Sequence, residues 1–116
     1  MKMKTSELTG LQLDYAVALI EGQVKYGAED FREQRRHTTE HGEYVYRYST
    51  SWAQGGPIIE REAISVCTQL TRFDWQAIDF HGYITQFGPT PLIAAMRCYV
   101  QSKLGGEVEI PESLLT

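Results

Sequence analysis

The segment from Thr90 to Gly106 constrains this chain most. Thr90 is a good N-cap, and Pro91 suits the first helical position, where its missing N–H is not needed. Ile93, Met96, Val100 and Leu104 then recur at helical spacing, and Leu92, Ala95 and Tyr99 widen the stripe. Lys103 falls in the last turn and Gly105-Gly106 end it, so the pattern predicts a helix over 91–104. Its broad apolar face needs covering, and 116 residues leave room for one compact domain to do so.

A second helix is expected from Leu11 to Glu21. Thr9 and Gln12 have capping-box spacing, and Leu11, Tyr15, Ala18 and Leu19 form an apolar face that Leu13, Val17 and Ile20 extend. Gly22 stands where a helix takes its left-handed terminal residue. Strands are expected at Gln23–Tyr26, at Tyr44–Tyr48 with one tyrosine-lined face, and at Ile64–Leu70, Trp75–Phe80 and Tyr83–Phe87. His81-Gly82 between the last two suggests a tight hairpin. Gly55-Gly56-Pro57 reads as a loop that opens a short helix at Pro57. The polar stretch 27–42 carries mixed charges around one aromatic and is expected to be a mobile loop. Residues 107–116 carry Glu107, Glu109 and Glu112 with no basic residue, an acidic C-terminal tail. The resulting expectation is α+β: a single domain over 1–106, with a small antiparallel sheet packed against two main helices.

Composition narrows the function classes. With 42% hydrophobic and 22% charged residues the chain is globular in character. A net charge of -4 argues against binding a nucleic-acid polymer, which favours basic patches. No apolar stretch approaches the ~20 residues of a membrane span. Met1-Lys2-Met3-Lys4 leads into Thr5-Ser6-Glu7 rather than an apolar signal core, so a cytoplasmic location is expected. Cys67 and Cys98 make no CxxC pair and are expected as two buried free thiols.

Few constellations carry chemistry. His37 and His41 have i, i+4 spacing but no clear third ligand, so they read as exposed loop histidines and no metal is expected. Neither cysteine has an activating neighbour, no G-x-S-x-G elbow occurs, and Asp74 and Asp79 do not form a carboxylate pair. No catalytic residue or cofactor is therefore expected. Gly55 and Gly56 before a helix start form either an ordinary turn or an anion site of free amides. The aromatics Tyr44, Tyr46, Tyr48, Trp52, Trp75 and Tyr83 either face the helices or a partner subunit, or offer a stacking surface for a base. Their abundance also motivates a homo-oligomer.

Trp52-Ala53-Gln54-Gly55-Gly56-Pro57-Ile58-Ile59-Glu60, Ile64-Ser65, Trp75, and Thr90-Pro91-Leu92-Ile93-Ala94-Ala95-Met96-Arg97 together resemble the NinX-like family of small tailed-phage proteins. Lys4–Gly10, Leu13-Asp14, Ala16–Ala18, Ser102–Gly105 and Glu107–Pro111 look like the same family. The resemblance implies a phage accessory protein in the cytoplasm of an infected bacterium, and it carries over no catalytic residue. Small phage proteins of this kind often counter host defence, either by sequestering a nucleotide signal or by binding a defence protein. The expected function is sequestration of a small, possibly cyclic, nucleotide without turnover. Gly55, Gly56 and Pro57 would hold phosphate, Arg61 or Arg97 would supply charge, and Trp52, Trp75 or Tyr83 would stack on the base. The alternative uses the same aromatics to inhibit or regulate a host or phage protein.

Overall fold

Thr90 Oγ1 accepts a hydrogen bond from the Ile93 amide at 3.1 Å, and from this cap the long helix runs from Pro91 to Leu104, as its sequence predicts. The computed structural model describes residues 1–24, 31, 46–69 and 74–115. Every residue of the long helix from Ala94 to Val100 is buried, so it is enclosed rather than laid on a surface. The fold is α+β and is built around it.

Among the described residues, the main elements in chain order are strand β1 (Lys2–Lys4), helix α1 (Gly10–Ile20), helix α2 (Trp52–Glu62), strands β2 (Ser65–Thr68), β3 (Trp75–Ile78) and β4 (Thr85–Gly88), the long helix α3 (Pro91–Leu104) and strand β5 (Glu107–Glu109). Strands β2, β3 and β4 form an antiparallel meander, with Thr68 opposite Trp75 and Ile78 opposite Thr85. This sheet covers one side of α3, and α1 and α2 cover others. Helix α1 thus packs mainly on α3, where packing on the sheet itself was expected. The reason is that α3 is apolar nearly all round and can take a layer on each side.

Helix α1 ends as its sequence indicates. Gly22 is left-handed at φ +73, and the amides of Gly22 and Gln23 return to the carbonyls of Leu19 and Ala18. Its start differs, because the Thr9–Gln12 capping box does not form. Gln12 Nε2 instead donates to the Leu114 carbonyl at 2.6 Å, tying α1 to the C-terminal turn.

Three further expectations are corrected. First, α2 starts at Trp52, so Gly55, Gly56 and Pro57 lie inside it and not in a loop before it. The Gly55 amide donates to the Ser51 carbonyl at 2.8 Å, a helical bond. Glycine is required there for proximity: a Cβ would sit 2.6 Å from the Tyr48 carbonyl oxygen and 2.7 Å from Leu92 Cδ1. Second, residues 46–50 form turns rather than a strand. The rings still share a face: Phe31, buried, stacks on Tyr46 at 5.4 Å, Tyr46 on Tyr48 at 6.4 Å, and Tyr15 meets Phe31 edge-on. Third, the β3–β4 hairpin is wider than His81-Gly82. Asp79 and Ile84 close it, with the Asp79 amide donating to the Ile84 carbonyl at 3.1 Å and the Ile84 amide to Asp79 Oδ1 at 2.9 Å. Gln23 and Val24 are not in a strand, Tyr44 lies outside the described residues, and so does the expected loop 27–42 apart from Phe31.

The acidic segment is part of the same body. β5 pairs antiparallel with β1, placing Glu109 opposite Lys2 and Glu107 opposite Lys4. Val108, Ile110 and Leu114 are buried, and Thr5 Oγ1 donates to the Gly105 carbonyl at 2.7 Å. Cys98 is buried as expected, but Cys67 is exposed, because the edge strand β2 turns most of its side chains outward. Among the described residues no helix is long and apolar enough to cross a membrane.

This packing gives a stability test. Gly55→Ala should cost about 1–3 kcal/mol by forcing α2 away from Tyr48 and Leu92. Gly106→Ala, which adds a Cβ in open space, should stay within about 0.5 kcal/mol of the parent. Ala63, left-handed at φ 53 just after α2, should gain up to about 1 kcal/mol on replacement by Gly. Urea unfolding of the three variants checks the order.

Candidate functional site

The β3–β4 turn carries three aromatic rings outward. Asp79 anchors both ends of the turn, and Gly82, whose amide donates to the Asp79 carbonyl at 3.0 Å, bends it between them. Phe80 and Tyr83 are left 72% and 88% exposed, an unusual presentation for large apolar rings. His81 lies between them, edge-on to Phe80 at 5.2 Å and near-parallel to Tyr83 at 6.0 Å.

Beneath this tip lies a cleft of about 630 Å³. The hairpin lines it through Asp79–His81, Tyr83 and Ile84, the end of α2 through Arg61–Ile64, and α3 through Cys98, Ser102 and Lys103. Ile64 and Cys98 are buried and Ile84 half-buried, giving the cleft apolar wall. Its volume is that of a small-molecule site.

A charged network forms the opposite wall. Arg61 Nη2 donates to Glu21 Oε1 at 2.7 Å and to the Tyr99 hydroxyl oxygen at 3.0 Å, while Arg61 Nε reaches Glu62 at 3.0 Å. Lys103 Nζ pairs with Glu62 at 3.1 Å. The Arg61 guanidinium and the Lys103 ammonium also lie 5.8 and 6.0 Å from the Tyr99 ring centroid. The hydrogen bond from Arg61, followed by that from Lys103, holds the Glu62 carboxyl below its ordinary range. Hydrogen bonds to Glu21 and Glu62 raise the Arg61 pKa further, so it stays a cation at any working pH. Burial, with the Asp79 charge behind it, pushes the Cys98 thiol up to about 12, so it serves as wall and not as nucleophile.

The structure brings only two of the site residues expected from sequence into this cleft, Arg61 and Tyr83. Trp52 is exposed at the other end of α2, roughly 14 Å from Arg61 along the helix axis. Gly55 is buried in the helix packing, Gly56 lies beside the Trp52 ring, and Pro57 is exposed on the same helix. No helix N-terminus opens at Gly55-Gly56, which removes the free amides the anion reading needed. Trp75 is half-buried and packed against the core. Arg97 is buried in α3, where Nε donates to the Leu8 carbonyl at 2.9 Å and Nη1 to the Phe87 carbonyl at 2.7 Å.

Sequence reasoning passed over Phe80, His81 and Lys103 as site residues. The available signal was the run Asp79-Phe80-His81-Gly82-Tyr83, in which the Asp and Gly suit a turn and leave the rings nothing to pack on. His37 and His41 lie outside the described residues.

Two tyrosines report on this packing. Burial first, and the Glu21 charge second, push both Tyr48 and Tyr99 up to about 12. A folded-state pKa above the unfolded value of 10.0 gives stability that is complete below pH 10.0 and lost as pH rises toward 12. Burial also raises the Tyr15 pKa, so absorbance at 295 nm should show at least these three tyrosines ionising late, together with a fall in denaturation midpoint over that window. Tyr99→Phe should remove one of the late tyrosines.

No curated protein matches the chain. A family model described as Bacteriophage P22, NinX matches residues 4–103, which spans α1, α2, the meander and all of α3 but its last residue. This chain belongs to the phage P22 NinX family.

Proposed function

We propose that this protein is a non-enzymatic phage accessory protein that binds and sequesters a small phosphorylated nucleotide, linear or cyclic, in the cytoplasm of an infected bacterium. The observation that supports this reading is the cleft in which exposed rings, an apolar floor and two cations meet. Tyr83 and His81 offer a stacking face for a base, which is worth about 1–3 kcal/mol per stacked ring. Ile64 and Ile84 take the base's apolar faces out of water. Arg61 and Lys103 are held by partly exposed ion pairs, which contribute little net stability and exchange readily for a phosphate. The site thus moves from the Gly55-Gly56 turn to the hairpin cleft, while the ligand class stays the same. Sequestering a host defence signal is the role that follows for a phage protein that holds a nucleotide and leaves it intact.

A thermal-shift screen against linear and cyclic nucleotides tests this. A ligand at 100 times its dissociation constant adds about 2.7 kcal/mol to the native state, a readable rise in melting temperature. Tyr83→Ala should weaken binding by about 1–3 kcal/mol if the ring stacks on the base. Trp52→Ala, far from the cleft, should leave it unchanged. Heating the complex should release the ligand intact, and recovery of a cleaved product would make the protein an enzyme.

A second reading has its own observation. Phe80 and Tyr83 project with almost nothing covering them, beside an arginine, and aromatic-plus-Arg clusters anchor protein partners. A host protein, or a second copy of this chain, would bury the same tip. If no nucleotide shifts the melting point while Phe80→Ala/Tyr83→Ala abolishes binding to a defined host protein, this reading replaces the first. Light scattering of the same variant against the parent reports self-association.

A further inference from the structure

We propose that a second pocket, separate from the hairpin cleft, binds a small oxyanion on the buried guanidinium of Arg97. This pocket, of about 350 Å³, is lined by Ser6, Asp74, Gln86, Phe87, Gly88, Pro89 and Arg97. It shares no residue with the cleft.

Arg97 is only 9% exposed, and its charge cannot be shed, because a guanidinium stays protonated inside proteins. Both of its hydrogen bonds go to neutral carbonyls, Leu8 and Phe87. Among the described residues no carboxylate is ion-paired to it, and burial alone bears on its pKa, pressing it down. The two carbonyls give Arg97 hydrogen bonds but no opposite charge, so an anion that reaches it gains a charge-assisted contact. Nε and Nη1 are spent on the protein, whereas Nη2 has no partner among the described residues. It is the donor left for a ligand on the side chain that lines the pocket.

The neighbours shape what can enter. Ser6, exposed on the turn after β1, brings a hydroxyl that can donate to an oxyanion. Gln86 is nearly buried, with its amide nitrogen bonded to Gln101 Oε1 at 2.5 Å. Asp74 lines the same pocket and has an interaction of its own, and its charge weakens any anion there. A single phosphate or carboxylate group on Arg97 and Ser6 is therefore the ligand class, and a polyanion is disfavoured.

The experiment titrates the protein with inorganic phosphate, and separately with acetate, at ionic strength held constant with chloride. The arginine Nε–Hε signals are followed by ¹⁵N NMR. A saturable shift of the Arg97 signal is expected, persisting in Tyr83→Ala, with the acetate arm separating a carboxylate ligand from a phosphate. Asp74→Asn should tighten phosphate by roughly threefold or more by removing the nearby negative charge. Arg97→Lys, with its fold checked by circular dichroism, should lose saturable binding. A linear response or none overturns the proposal. So does a shift lost in Tyr83→Ala, which assigns the anion to the cleft, or phosphate binding that Asp74→Asn leaves unchanged or weaker. Because Asp74→Asn keeps the Arg97 hydrogen bonds, the test stands even if Arg97→Lys fails to fold.

Discussion

The stretch of helix α3 from Ala94 to Val100 is buried on every side and yet carries a guanidinium, and the rest of the fold is arranged around both demands. Small residues, Ala94 and Ala95, let neighbouring backbone come close on one stretch, while Met96, Tyr99 and Val100 fill the space around them. Arg97, in the middle of that run, bonds to Leu8 before α1 and to Phe87 on β4. One side chain therefore joins the N-terminal turn, the sheet and the central helix. Removing it would leave two carbonyls inside the protein without their donor, a larger loss than the bonds themselves contribute.

The helices were legible because their ends are coded locally. Thr90, Pro91 and Gly105 bound α3 through contacts within one turn of the chain, and Gly22 does the same for α1. The failures came where a distant partner outweighed a local preference. Thr9 and Gln12 satisfy the capping-box pattern, yet Gln12 is drawn away by Leu114, a hundred residues later. Gly55-Gly56-Pro57 has the composition of a turn, but the surface that Tyr48 and Leu92 offer makes glycine a packing residue inside a helix. Likewise the acidic charge of 107–109 suggests a solvated tail until Lys2 and Lys4 are known to lie opposite. Only pairing between the two ends of the chain reveals that.

The candidate site was legible in its residue types more than in its position. Arg61 and Tyr83 drew attention as charge and aromatic, and both line the cleft. What could not be read is that helix α2 starts early enough to put Trp52 and Arg61 at opposite ends, because that depends on where Gly55 packs. Arg97 illustrates the same limit. In sequence it is one polar position within an apolar stripe, equally suited to facing water. Enclosure of the middle of α3, which turns it inward, is a property of three layers folded together.

The cleft and the central helix are one construction. Its hairpin is held by Asp79 on β3, its charged wall by Tyr99 and Lys103 on α3, and its remaining edge by Ala63, the residue that ends α2 in a left-handed turn. Tyr99 lies buried below that charged wall, with Arg61 and Lys103 at its ring and Glu21 accepting from its hydroxyl. The two cations are thereby placed by a rigid ring, even though their own ion pairs are partly exposed. Charges that are fixed in place but weakly paired lose little when their partner changes, and that is the property a site needs if an incoming anion is to replace a carboxylate of the protein. The aromatic tip above them has the opposite character, with its base pinned by two backbone bonds and its rings left uncovered. A rigid charged wall facing an uncovered aromatic tip suits binding in which the ligand, rather than the protein, completes the packing.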